Sequence, residues 1–260
     1  MNKLWIVDSF TSTPYTGNPA AVMIVAEFPS SMQSIAAEMN LSETAFVKPL
    51  NTDYYHICWY TPTVEVSLCG HATLAAAHVL FHEEKIQSNE ITFESLSGPL
   101  QVTREKEGLV MNFPLQKIGA RLDRHFFEEA LNVQGKIVEV LQAYDEIIIV
   151  LRTEEDVITF QPNFSEIAKI EAKGIIITAH AHEYDFVSRT FAPRLGINED
   201  PVTGSAHCKL ADYWSKVLNK HEFKAYQASA RGGSLSLKIV GDRVLLKSQA
   251  VTIFEGVLKI

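Results

Sequence analysis

The chain is predicted to fold as an α+β protein of two pseudo-symmetric halves, each a curled, mixed β-sheet wrapped on one apolar helix. Three observations predict this. The stretch Glu65-Val66-Ser67-Leu68-Cys69-Gly70-His71-Ala72 is made again as Glu199-Asp200-Pro201-Val202-Thr203-Gly204-Ser205-Ala206, with glutamate, glycine and alanine in matching positions. Each copy runs into a helix-like segment, residues 73–81 after the first and 207–218 after the second. A glycine-led strand then follows at nearly the same distance: Gly98 lies 28 residues after Gly70, and Gly233 lies 29 after Gly204. An ordered series of junction, buried helix and strands is the mark of a duplicated unit. The halves meet near residues 114–120, which gives domains 1–117 and 118–260, with the C-terminal strand able to pack back onto the first.

Taken in order, residues 4–10 and 20–25 read as strands on either side of the turn Tyr15-Thr16-Gly17-Asn18-Pro19. Ser31 is placed to cap a short helix whose Met32, Ile35, Ala36 and Met39 share one face, with Asn40 as its stop. Extended segments 43–47 and 54–60 lead to the first glycine junction. Its helix carries Leu74, Ala75, Ala77, His78 and Phe81 with hardly any charge, so it should be buried on most sides. Strands are expected at 90–94, 100–103 and 109–113, the last ended by Pro114. In the second half, 137–141, 146–151 and 157–160 read as strands, 163–170 as a helix, and 174–178 and 185–191 as strands. After the second junction come a helix with Leu210, Ala211, Trp214 and Leu218, and strands at 223–227, 235–239, 244–247 and 250–258.

Composition narrows the function. A net charge of −8 argues against nucleic acid or an anionic membrane as partner. The N-terminus lacks the apolar core of a signal peptide, and no apolar run approaches the ~20 residues of a membrane span. Three cysteines without a C-x-x-C pair indicate neither a disulfide framework nor a zinc knuckle. A cytoplasmic protein with free thiols is expected.

The glycine junctions carry the chemistry. Backbone N–H groups at a helix start have no earlier carbonyl to satisfy them and are ready to hold an anion. Gly70 and Gly204 read individually as turn glycines; their matched context favours a small acidic ligand gripped from two sides, in a cleft between the halves. His71 and Ser205 occupy the same place after each glycine, and as a pair favour ligand contact. Asp200 either compensates the positive helix end or pairs with His71, fixing its tautomer and raising its pKa. Cys69 and Thr203 precede the glycines in register. Two thiols there would make a two-base racemase, but threonine is a poor base. Glu43, by pattern alone, reads as an exposed strand-end glutamate. His78 and His82, like His180 and His182, have metal-ligand spacing without an evident third ligand, so no metal site is expected. Gly232-Gly233 lacks the lysine and glycine pattern of a phosphate loop.

These residues together make the chain resemble the phenazine-biosynthesis PhzF-like isomerase family, a branch of the diaminopimelate-epimerase-like superfamily. The resemblance rests on Asp8-Ser9-Phe10, Gly17-Asn18-Pro19-Ala20-Ala21-Val22, Leu41-Ser42-Glu43-Thr44-Ala45-Phe46-Val47, Tyr60-Thr61-Pro62, the two junctions and Arg231-Gly232. It implies two diaminopimelate-epimerase-like domains, each a barrel-like sheet around a central helix, a homodimer, and no cofactor. It places the acid/base carboxylate on Glu43, against the pattern-based reading of that residue. It puts catalytic partners on His71, Asp200 and Ser205. Substrate-binding positions then fall on Gly70, Gly204, Asn18, Thr203 and Cys69, for a small carboxylate-bearing substrate. The implied reaction is a proton shift in a small unsaturated acid, with one carboxyl acting as base and then as acid.

Overall fold

The computed structural model describes residues 2–259. They divide into two compact units, Met1–Phe113 with Leu245–Ile260, and Pro114–Val244.

The first unit opens with β1 (Lys3–Ser9), β2 (Asn18–Ile24), helix α1 (Met32–Met39), β3 (Glu43–Pro49) and β4 (Tyr54–Tyr60). It continues with β5 (Glu65–Val66), helix α2 (Gly70–His78), β6 (Glu90–Glu94), β7 (Leu100–Glu105) and β8 (Gly108–Pro114). Strand β1 pairs antiparallel with β2, β2 parallel with β3, β3 antiparallel with β4, and β4 parallel with β6, after which β6, β7 and β8 are antiparallel. Helix α2 packs on β1, β2 and β3, and every residue from His71 to Ala77 is buried. This is the all-round burial that its uncharged, alanine-rich sequence dictates. The helix starts at Gly70, three residues earlier than expected, and runs on into a π-helical turn, Val79–Glu83. Asn40 ends α1 in the left-handed conformation with its N–H on the Ala36 carbonyl, whereas the Ser31 side chain makes no capping bond.

The second unit holds β9 (Arg121–Leu122), α3 (Arg124–Ala130), β10 (Ile137–Ala143), β11 (Glu146–Leu151), α4 (Glu154–Ile158) and α5 (Phe164–Ile167). Then follow β12 (Gly174–His180), β13 (Phe186–Ala192), β14 (Ile197–Asp200), α6 (Gly204–Leu218), β15 (Glu222–Gln227), β16 (Gly233–Val240) and β17 (Arg243–Ser248), whose end belongs to the first unit. The pairings repeat the first unit in order and sense: β10/β11 antiparallel, β11/β12 parallel, β12/β13 antiparallel, β13/β15 parallel and β15/β16 antiparallel. Helix α6 is tied to these strands by its buried face. Trp214 stacks on Phe186 and donates its indole N–H to Thr178, Tyr213 donates to Glu139, and buried Lys209 pairs with Glu146.

Two local expectations fail here. Residues 157–160 are not a strand: Thr153 caps α4 by accepting the Asp156 N–H, and Glu154, Glu155 and Asp156 fill its first turn, where acidic groups suit the helix dipole. Helix α3, unassigned from the sequence, is started by Asp123, which accepts the His125 N–H. The last strand, β18 (Ala250–Val257), returns to the first unit and pairs antiparallel with β1 from Ser9↔Ala250 to Lys3↔Val257.

Candidate active site

In the first unit the site is assembled around the start of α2. The preceding β1–β2 connection is held tightly. Gly17 has φ +68°, and a Cβ there would lie 2.1 Å from the Ser9 carbonyl oxygen, so only glycine fits. Asp8 accepts the Tyr15 N–H at 2.7 Å, and Asn18 begins β2 fully buried. Ser9, also fully buried, donates its hydroxyl to the His71 carbonyl at 2.8 Å, and Thr73 donates to the Cys69 carbonyl. The helix start is therefore fastened from both sides.

Cys69 is the N-cap of α2, with φ −144° and ψ 113°, and its side chain makes no capping bond. No acidic residue lies in the first turn, so the positive helix end is uncompensated from within its own helix. Glu43 is the first residue of β3, opposite Ala20 in the parallel register, and is buried rather than exposed. Its Oε2 lies 3.2 Å from Nε2 of buried His71, within ion-pair range though off the line of a hydrogen bond. On the other side of the ring, Nδ1 lies 3.5 Å from Sγ of Cys69. Burial pushes the His71 imidazole from 6.5 down to about 3, opposite to the raised value that pairing with an aspartate would give. The ring is neutral at ordinary pH, with a hydrogen on one nitrogen only.

In the second unit the matching turn is built differently. Thr203, the N-cap of α6, has the same extended backbone (φ −114°, ψ 101°) and likewise makes no capping bond. Its hydroxyl donates to Asp200 Oδ2 at 2.5 Å. Fully buried Gln227 clamps the turn: it donates to the Asp200 carbonyl at 2.7 Å and to Thr203 Oγ1 at 3.2 Å, and accepts the Thr203 N–H at 2.9 Å. One residue upstream, Glu199 accepts both arms of the Arg189 fork at 2.7 and 3.0 Å. Gly204 is buried, whereas Ser205 is exposed, so the position that is a buried histidine in the first unit is an open hydroxyl in the second.

The structure thus brings Glu43, His71 and Cys69 together in one unit, and Asp200 and Thr203 in the other. Ser9, Arg189 and Gln227 were missed from the sequence. Ser9 lies in a stretch that carries the family resemblance, but Gln227 sits at a strand end with no local signal. Among the described residues, Glu43, Cys69 and His71 are also the one group of three donors close enough to share a metal ion, and neither histidine pair contributes to it.

The duplicated α+β fold defines the class as that of the diaminopimelate-epimerase-like proteins. Comparisons agree. The model of the family described as phenazine biosynthesis-like protein matches residues 7–256. An uncharacterized isomerase of Pseudomonas aeruginosa is 45% identical, over 98% of this chain and 97% of its own length. The crystal structure of a PhzF-family phenazine biosynthesis protein from Enterococcus faecalis superimposes with a TM-score of 0.93 at 40% identity, covering 100% of this chain and 99% of that one. A probable proline racemase from Agrobacterium radiobacter, 9% identical, shares the fold at a TM-score of 0.62, covering 100% of this chain and 93% of that one. The chain belongs to the phenazine biosynthesis-like (PhzF) family, and it is an isomerase.

Proposed function

We propose that this isomerase is cofactor-independent and moves a proton, and with it a double bond, in a small unsaturated carboxylic or amino acid. Glu43 takes the proton from one carbon and returns it to another. His71, Asp200 and Ser205 bind and polarise the substrate, with Asn18, Cys69 and Thr203 as further contacts. The uncapped first turns at Gly70 and Gly204 offer N–H groups to its carboxylate. The observation that carries the reading is the Glu43–His71 contact. An imidazolium at 3.2 Å would hold Glu43 as a fixed anion, whereas a ring made neutral by burial leaves the carboxyl able to gain and lose a proton. The same reading takes the protein as a cytoplasmic homodimer acting on a metabolite rather than on nucleic acid or a membrane, in keeping with its charge of −8. Among the described residues no helix is long and apolar enough to cross a membrane.

A second reading, an amino-acid epimerase, racemase or related dehydratase using Cys69 with Thr203, is favoured by one contact. The Cys69 thiol lies 3.5 Å from Nδ1 of His71, within hydrogen-bond reach of the ring. Against it, the Thr203 hydroxyl is a weak base and is already donating to Asp200. Exchange of substrate carbon-bound hydrogen in D2O, across a panel of small unsaturated and saturated amino and carboxylic acids, separates the two. Glu43→Gln is expected to lower exchange by roughly 10²–10⁴-fold, and Cys69→Ala to retain most of it. A dead Cys69→Ala beside an active Glu43→Gln would reverse the assignment. Sedimentation of the same wild-type preparation as a monomer would remove the homodimer.

A further inference from the structure

We propose that Thr73 and His207 are matching positioning residues for the substrate carboxylate, each polarising and aiming the glycine N–H at the start of its own helix. The inference rests on the reading that Gly70 and Gly204 offer those N–H groups to the carboxylate. Thr73 lies three residues after Gly70, and His207 three after Gly204. Both are fully buried. The Thr73 hydroxyl donates to the Cys69 carbonyl at 2.5 Å, and its own backbone N–H reaches the same oxygen at 3.2 Å. His207 repeats both contacts on the Thr203 carbonyl, through Nδ1 at 2.8 Å and its backbone N–H at 3.4 Å. A carbonyl has no hydrogen to give, so Nδ1 is the donor. Each N-cap carbonyl therefore accepts two hydrogens from the residue four positions on.

Those carbonyls belong to the peptide units Cys69–Gly70 and Thr203–Gly204, whose other ends are the two glycine N–H groups. A peptide unit is planar and conjugated, so a hydrogen bond accepted at its oxygen fixes its plane and draws electron density from its nitrogen. The N–H at the far end becomes a stronger donor, by about 10–30% per bond. A first-turn N–H has no carbonyl of its own helix to meet, so that gain is available to a ligand anion. Thr73 alone would be ordinary, because a helical threonine can bond the carbonyl four residues back. The second copy makes the case. A histidine has another shape, greater bulk and a nitrogen donor, yet at the matching position its ring is turned to the same oxygen. What the two units share is the bond and not the side chain. Stacking on Phe186, at 6.0 Å between ring centroids, helps to keep Nδ1 on the carbonyl.

The test uses the full chain with acetate as the probe. Cys69–Gly70 is the single Cys-Gly step of the sequence, so labelling cysteine carbonyls with ¹³C and glycine nitrogens with ¹⁵N isolates that one peptide in a nuclear magnetic resonance spectrum. Thr73→Val keeps the shape and loses the hydroxyl, whereas Thr73→Ser keeps the hydroxyl and loses the methyl. Thr73→Val should move the Cys69 carbonyl and Gly70 nitrogen signals upfield. It should also weaken acetate binding, followed at Gly70, by about two- to fivefold. Thr73→Ser should restore both. His207→Leu, which removes the donor, and His207→Asn, which keeps one at the place of Nδ1, should give the same contrast at Gly204. Residues that merely pack would show the reverse at Thr73, with serine the harmful change and valine the harmless one. Unmoved signals in Thr73→Val, an unchanged acetate affinity in that variant, or a response at one helix only overturns the proposal. If the wild-type chain is silent to acetate while Thr73→Val still moves the peptide signals, the carboxylate reading falls and the polarised amides stand.

Discussion

At the scale of single residues, burial decides chemistry that charge alone would misassign. His71 and His207 lie in the two helix starts, and both are buried and held neutral, at about 3 and about 4 against an ordinary 6.5. His207 donates its Nδ1 hydrogen to the Thr203 carbonyl at 2.8 Å and stacks on Phe186, so its tautomer is set by the fold. A histidine whose folded value is depressed contributes stability that is fully present above the unfolded value. That stability is lost as pH falls from about 6.5 toward the folded value, at about 1.4 kcal/mol per pH unit and group. His207→Gln, which removes the titration, is expected to flatten the dependence. The gap between the unfolding free energies from urea titrations at pH 7.5 and pH 4.5 should shrink by an amount on the order of 3 kcal/mol. An unchanged gap would place the acid sensitivity elsewhere.

At the scale of elements, the two helix starts share a backbone and differ in what steadies them. The α2 start is fastened by hydroxyls, Ser9 on the His71 carbonyl and Thr73 on the Cys69 carbonyl. The turn before α6 depends on one amide, since Gln227 satisfies the Thr203 N–H and the Asp200 carbonyl together. Gln227→Leu keeps the volume and strands both groups, at about 1–3 kcal/mol each. A loss of about 3 kcal/mol in unfolding free energy is expected, together with a fall in turnover, because the turn that carries Asp200 and Thr203 is released. Full stability in this variant would show that the turn is held by other contacts, such as the Ser229 hydroxyl on the Pro201 carbonyl.

At the scale of the whole molecule, the two copies differ at the position of Glu43. Glu43 is the first residue of β3 and pairs with Ala20; Gly174 is the first residue of β12 and pairs with Glu146 in the same parallel sense. A side chain at Gly174 would put its Cβ 2.7 Å from the Phe191 carbonyl oxygen, so the second unit has no room for a matching acid. One of its buried carboxylates, Glu146, is paired with Lys209, which stands where the first unit has Ala75. The units also differ in closure, because β18 comes from the far end of the chain to cover β1. Ending the chain at Gln249 is therefore expected to unfold the first unit selectively. Emission from Trp5 and Trp59 should shift to the red, while that of Trp214, isolated by Trp→Phe changes at the other two, keeps its native position. A red shift of Trp214 equal to the others would mean that the units do not unfold separately.

Much of this protein is determined by its sequence alone. The duplication, the glycine helix starts, the uncharged central helix and nearly all strands are local properties, written in periodicity, turn residues and apolar runs over a few neighbouring positions. Helices α3 and α4 escaped because their signal is a single capping side chain rather than a pattern. Tertiary structure alone decided the rest. Glu43 reads as an exposed strand end until β3 lies beside α2, and only then do its carboxylate, the His71 ring and the Cys69 thiol meet in a place dry enough to keep the ring neutral. Gln227 is likewise silent in sequence, because what it does depends on groups far away along the chain, and such contacts leave no local periodicity to read.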